Sequence, residues 1–210
     1  MTTLTIPPAM PTYALANGAA AVFDILNSDP EAAFDALAQH AAEAISAPMA
    51  GISFFDATEP GRQREWFKAC KNLPAATLTK DQSFCWPLFD TASPSFPTAE
   101  ALPSHVVITD MRTDERHIEH PWVVGPPHVC FYAATSIVLQ GHIIGALSVF
   151  DNTARDITAD ELNQLAALAA LAAARLEARL EVRQKSLTAL MPPSALAGPN
   201  VALAPEQHTQ

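Results

Sequence analysis

The stretch 129–151, VCFYAATSIVLQGHIIGALSVFD, decides the fold. Its first half is rich in aromatic and β-branched residues, and its second carries Ile143, Ile144, Leu147, Val149 and Phe150. That composition predicts two long strands meeting at Gln140-Gly141, where glycine supplies the positive φ that a two-residue turn requires. Neither half alternates cleanly between apolar and polar residues. Both faces of the sheet are therefore expected to be covered.

Just beyond the hairpin, Asn152 to Asp156 form a polar turn, and Thr158-Ala159-Asp160-Glu161 has the spacing of a capping box. The helix it opens carries Leu162, Leu165, Ala169, Ala172, Leu176, Leu180, Leu187 and Leu190 on one stripe, with no proline before Pro192. At 1.5 Å per residue such a helix reaches about 45 Å, longer than a small domain, so its far part needs another surface. Arg175, Arg179 and Arg183 border one edge of the stripe, and Glu177 and Glu181 border the other. Opposite signs at the two edges of an apolar seam suit a parallel pair of helices. A homodimer through residues 158–190 is the expectation.

Working back from the hairpin, Val106 to Thr109 reads as a short central strand ending at Asp110, and Asp114 to His120 as one or two helical turns before Pro121. The connection 74–104 holds Pro74, Pro87, Pro94, Pro97 and Pro103, and a connection this long is usually functional or mobile rather than idle. Met49 to Phe55 and Glu65 to Cys70 read as strands joined by a Pro60-Gly61 turn. Ser28-Asp29-Pro30-Glu31 signals a helix start, and Phe34, Leu37, Ala38, Ala41 and Ile45 share the helix face that follows. Residues 1–27 are expected to be a loose arm with a short helix over Tyr13 to Leu26. The proline-bearing tail 191–210 is expected to be disordered. The core then spans 28–160.

Of 210 residues, 49% are hydrophobic, enough for one sizeable core. A net charge of −10 with only 12 Lys plus Arg argues against nucleic acid and against anionic membrane surfaces. The N-terminus MTTLTIPPAM lacks a secretory pattern, and no unbroken apolar run approaches about 18 residues. Cys70, Cys85 and Cys130 form no CxxC pair and read as reduced thiols, which suggests a cytoplasmic protein.

The order of elements resembles that of GAF domains. Gln82-Ser83-Phe84-Cys85 is similar to the Ser-Phe-Cys segment of many bacterial GAF sensor domains. Asp110-Met111-Arg112-Thr113-Asp114-Glu115-Arg116 resembles their Asp-x-Arg-x-Asp-x-Arg stretch. Pro121, Val124, Gly125 and Pro126 match the loop that follows, and Phe131-Tyr132-Ala133, Gly141, Gly145, Leu147 and Asp151 match the paired strands. The resemblance covers about residues 30–185 and implies an α+β, GAF/PAS-like fold. Its central antiparallel sheet would carry helices on one face and a pocket roofed by long connections on the other. It also implies a sensory or regulatory role in bacterial signal transduction: binding an unidentified small molecule, dimerising, and signalling to a partner in trans. It names no cofactor. Cys130 stands where many relatives have arginine, and Ala134 where many have glycine, so no anion-binding arginine carries over to this chain.

The residues expected to line the pocket are Trp66, Phe84, Cys85, Asp110, Trp122, Cys130 and Tyr132, aromatic walls with a few polar groups. Cys85 reads as either a ligand-contact or redox thiol or a small buried hydrophobe, and the second is the commoner fate. Asp110 reads as a polar anchor or as the cap of its own turn. His117, His120, Glu119 and His128 fall short of a metal-site spacing and read as polar loop residues. The alternative function is a thiol-dependent enzyme of the free methionine-R-sulfoxide reductase kind, a family of single GAF domains. Its reacting cysteine precedes the hairpin, where this chain has RHIEHPWVVGPPH. GAF domains that attach a bilin typically place His after the cysteine, and here Trp86 follows Cys85. A scaffold with a collapsed pocket is the third reading.

Overall fold

A computed structural model describes residues 28–56, 63–74, 77–89, 104–139 and 141–190. The expected N-terminal arm and helix, the Pro60-Gly61 turn, residues 90–103 of the proline-rich connection, Gln140 and the tail lie outside the described residues. So do the side chains of Arg183, Leu187 and Leu190.

The hairpin is formed by β5 (Phe131–Leu139) and β6 (His142–Asp151), paired antiparallel from Phe131↔Asp151 to Leu139↔His142. Gly141 takes φ 80° beside the turn, where a side chain would be strained. β1 (Met49–Asp56) lies on the other edge of β6, followed outward by β2 (Arg64–Lys71) and β3 (Thr77–Thr79). β4 (His105–Ile108), expected as a central strand, instead closes the opposite edge, giving the order β3-β2-β1-β6-β5-β4. Every neighbouring pair is antiparallel. Gly145 is obligatory here, since a Cβ would stand 2.1 Å from the Ser53 carbonyl oxygen of β1.

Two helices cover one face. In α1 (Ala32–Ala44), Phe34, Leu37, Ala38, Ala41 and Ala42 are buried on one stripe. Its N-cap is Glu31, with no capping side-chain bond, and the Ser28 hydroxyl of the expected helix start accepts from Lys68 Nζ at 2.6 Å. α3 (Ala159–Leu190) opens on the expected box: Thr158 N–H and Oγ1 donate to Glu161 Oε2 at 2.8 and 2.9 Å, and Glu161 N–H returns to Thr158 Oγ1 at 3.2 Å. Leu165, Ala169, Ala172, Ala173 and Leu176 are buried against α1 and the sheet, which together with Ile52, Phe54 and Phe131 makes one apolar cluster. At 32 residues α3 is about 48 Å long, and among the described side chains burial ends near Leu180.

The other face meets the segment 77–89, with its two 3-10 turns Lys80–Gln82 and Trp86–Leu88, and the loop 109–130. β3 and these turns were not visible in the proline-rich connection. Asp114 to His120 forms turns rather than helix, and the single helical turn is α2 (Pro121–Val124). Proline at its first position with His120 capping the Trp122 N–H at 3.0 Å moves the helical residues past Pro121. No helix among the described residues is long and apolar enough to cross a membrane.

Candidate functional site

The sheet face away from α1 and α3 buries a chain of polar side chains inside an aromatic shell. β2 pairs Glu65 with Phe55 of β1 and Leu78 of β3, and strand alternation turns its carboxyl away from the helices. The side chain is 2% exposed. Cys85 Sγ donates to Glu65 Oε1 at 3.1 Å, and Ser83 Oγ stands 3.6 Å from the same sulfur. Tyr132 on β5 adjoins Cys85, and its hydroxyl pairs with Ser148 Oγ of β6 at 3.2 Å. Ser53 Oγ of β1, Trp86 Nε1 and His120 Nε2 are buried without a well-aligned hydrogen bond among the described residues.

Burial controls the protonation of this chain. Desolvation raises the Glu65 carboxyl above its ordinary 4.5, against the pull of the neighbouring Ser53, Ser83 and Cys85 groups. Desolvation, reinforced by Glu65, lifts the Cys85 thiol well above its ordinary range. The Tyr132 phenol is raised in the same way, by burial first and then by Cys85 and Glu65. The thiol and phenol hold their protons at neutral pH. No cationic side chain pairs with Glu65 among the described contacts.

Phe84 is the hub of the shell. Its ring centroid lies 4.2 Å from His120, 5.1 Å from His117, 5.4 Å from Tyr132 and 6.2 Å from Trp122. Trp86 packs edge-on against Phe55 at 5.5 Å and Phe89 at 5.3 Å. His117 and His120, expected as polar loop residues, are buried, and desolvation lowers both below the usual histidine range. His120 Nδ1 accepts from Trp122, which leaves the proton on Nε2, facing the Gln82 carbonyl.

Of the seven pocket candidates, Phe84, Cys85, Trp122 and Tyr132 come together here. Trp66 does not. It pairs with Phe54 and packs with the helix-side cluster, 5.8 Å from the Lys68 ammonium, because β2 turns Glu65 and Phe67 the other way. Asp110 also stands apart: it binds the Arg112 guanidinium through both oxygens, at 2.9 and 2.8 Å, and accepts the Arg112 N–H at 3.0 Å. Asp114 and Arg116 repeat that fork, so the Asp-x-Arg-x-Asp-x-Arg stretch makes two self-contained turns. Cys130 is buried outside both apolar clusters, with its thiol 3.7 Å from the His128 carbonyl. Glu65, Ser53 and Ser148 escaped the sequence reading, and Ser83 entered it only as part of the Ser-Phe-Cys segment. An acid alternating with Phe67 in a strand was the available signal for Glu65. Among the described residues no three His, Cys, Asp or Glu side chains gather closely enough to hold a metal ion.

Residues 29–176 match the sequence profile of the GAF domain family. No curated protein matches the sequence. Among solved structures, the blue-light absorbing form of the PixJ GAF domain from Thermosynechococcus elongatus is similar with a TM-score of 0.56 at 16% identity, over 76% of this chain and 90% of its own. The GAF domain of the Acinetobacter phosphoenolpyruvate-protein phosphotransferase also reaches 0.56, at 15% identity, over 80% of this chain and 96% of its own. The type II free methionine-R-sulfoxide reductase from Thermoplasma acidophilum gives 0.52 at 12% identity, over 77% and 94%. At such identities the likeness speaks for fold alone. With the family profile spanning sheet, loops and the packed half of α3, this chain belongs to the GAF domain family.

Proposed function

We propose that this GAF domain is a sensory or regulatory module in bacterial signal transduction, without catalysis of its own. It takes up a small molecule on the sheet face away from α1 and α3. The observation that carries this reading is the chain Glu65–Cys85–Tyr132–Ser148 within aromatic walls. Burying a carboxyl, a thiol and several hydroxyls costs free energy that an all-apolar core avoids, whereas a ligand site needs a few convergent polar groups in an apolar setting. Carboxyl and hydroxyl oxygens there suit a ligand that presents N–H or O–H donors.

The reductase alternative is disfavoured by chemistry. Cys85 is fully buried and holds its proton, the opposite of an activated thiol, and residues 114–128 contain no cysteine. The part of α3 beyond Leu180 extends past the buried core with Val182 65% exposed, which supports a homodimer through this helix, or a signalling protein docking in trans. Free cysteines suit a reducing cytoplasm.

Native mass spectrometry of freshly purified protein tests the ligand reading. A stoichiometric small molecule, released by acid, is the expected result. A clean 22.4 kDa polypeptide mass, together with no melting shift across a panel of metabolites, contradicts it. Static light scattering at 22.4 kDa, rather than twice that, removes the dimer.

A further inference from the structure

The helix-side face holds a second polar cluster, built on Lys68, a charged side chain of β2 buried on that face. The β1–β2 register shifts between Ile52 and Ser53, from Ile52↔Ala69 to Ser53↔Phe67, which leaves Lys68 as the extra residue of a bulge. Its side chain is 0% exposed. The ammonium donates to Ser28 Oγ at 2.6 Å and to the Asp29 carbonyl, and pairs with Glu31 Oε1 at 2.8 Å. It lies 6.0 Å from the Phe34 ring centroid. The second Glu31 oxygen accepts from Arg179 of α3. Arg179 stands where α3 leaves the core, between buried Leu176 and exposed Val182. One step back along β2, Phe67 faces the opposite side of the sheet and packs against Trp122 at 5.9 Å.

We propose that Glu31 is a shared clamp, holding β2 through Lys68 and the outgoing helix through Arg179. A shift of β2 on the far face then changes how firmly α3 is held where it emerges. The other acceptors of Lys68, Ser28 Oγ and the Asp29 carbonyl, are neutral, so turning Glu31 away leaves the buried ammonium without its anion, and the two contacts on Glu31 are coupled. The clamp is a property of this face and stands whether or not the opposite face holds a ligand.

Hydrogen exchange on the full chain, read separately over 159–172 and 176–186, tests it. Arg179→Gln is expected to speed exchange over 176–186 roughly threefold, the scale of a half-exposed ion pair, and to leave 159–172 unchanged. Phe67→Leu, which perturbs β2 from the other side, is expected to raise 176–186 about twofold. That increase should vanish in a background already carrying Glu31→Gln or Arg179→Gln. If Glu31→Gln does not fold, the Arg179→Gln background carries the same test. Exchange over 176–186 unchanged by Arg179→Gln overturns the clamp. So does a Phe67→Leu effect that persists undiminished when the clamp is already cut.

Discussion

The two faces of this sheet are built from the same strands on opposite chemistry. Toward α1 and α3 the strands present Ala50, Ile52, Phe54, Phe131 and Val149, and the helices answer with alanine and leucine. The buried charge there, Lys68, is matched to Ser28, Asp29 and Glu31. Away from the helices the same strands present Ser53, Glu65, Tyr132 and Ser148, and what covers them is loop and 3-10 turn. One face is organised to hold elements together. The other retains a buried carboxyl with no cationic partner among the described contacts and, at Ser53, Trp86 and His120, polar atoms without a well-aligned hydrogen bond. Stability alone favours the first arrangement, and the proposed ligand site rests on the second.

Several substitutions break or sharpen that contrast. The largest effect is expected on the helix side. Phe34→Ala removes a ring that is 1% exposed and stacked edge-on with Phe54 at 6.1 Å, and should cost about 3–5 kcal/mol in denaturant unfolding. On the far face Cys85→Ala deletes a small buried group and one donor to Glu65, and should cost about 1–2 kcal/mol, with Cys85→Ser recovering part of it. A Cys85→Ala loss as large as that of Phe34→Ala would mean that both faces are equally structural.

Glu65→Gln separates the faces by pH. The folded carboxyl titrates above 4.5, so the folded state binds the proton more tightly than the unfolded chain. Its contribution is fully present below about 4.5 and is lost as pH rises through the folded value. Wild-type stability should therefore fall with rising pH across that window. Glu65→Gln should flatten the slope and match or exceed the wild-type melting temperature at pH 8. A melting temperature well below wild type at pH 8 would show Glu65 to be ionised and paired. The smallest effect belongs to the surface turn. Arg116 lowers the Asp114 carboxyl to about 2, so its contribution is present above 3.8 and lost as pH falls toward 2. With the Arg116 side chain 66% exposed, Asp114→Asn should cost only about 0.5–1 kcal/mol at neutral pH, by thermal unfolding.

What the sequence made legible follows the range of the forces involved. The hairpin, its Gly141 turn and the Thr158–Glu161 box are local, and their residues announce them. Glu65 meets Cys85 only because the segment after β3 folds back over the sheet, 20 residues on. Alternation tells which β2 residues share a face, but not which face meets the helices, and so Trp66 was expected in the pocket. Arg179 looked like an edge charge awaiting another helix, yet its partner is Glu31, 148 residues earlier in the same chain. Asp110 illustrates the reverse case: the turn it caps lay in the sequence, two residues away at Arg112.

The contrast between the faces is tested most directly by native mass spectrometry on three proteins purified side by side: wild type, Glu65→Gln and the helix-side variant Leu37→Ala. A small molecule should be retained by wild type and by Leu37→Ala and be lost or greatly reduced in Glu65→Gln. Retention unchanged in Glu65→Gln, or lost only in Leu37→Ala, would contradict the assignment of the site to the face away from the helices.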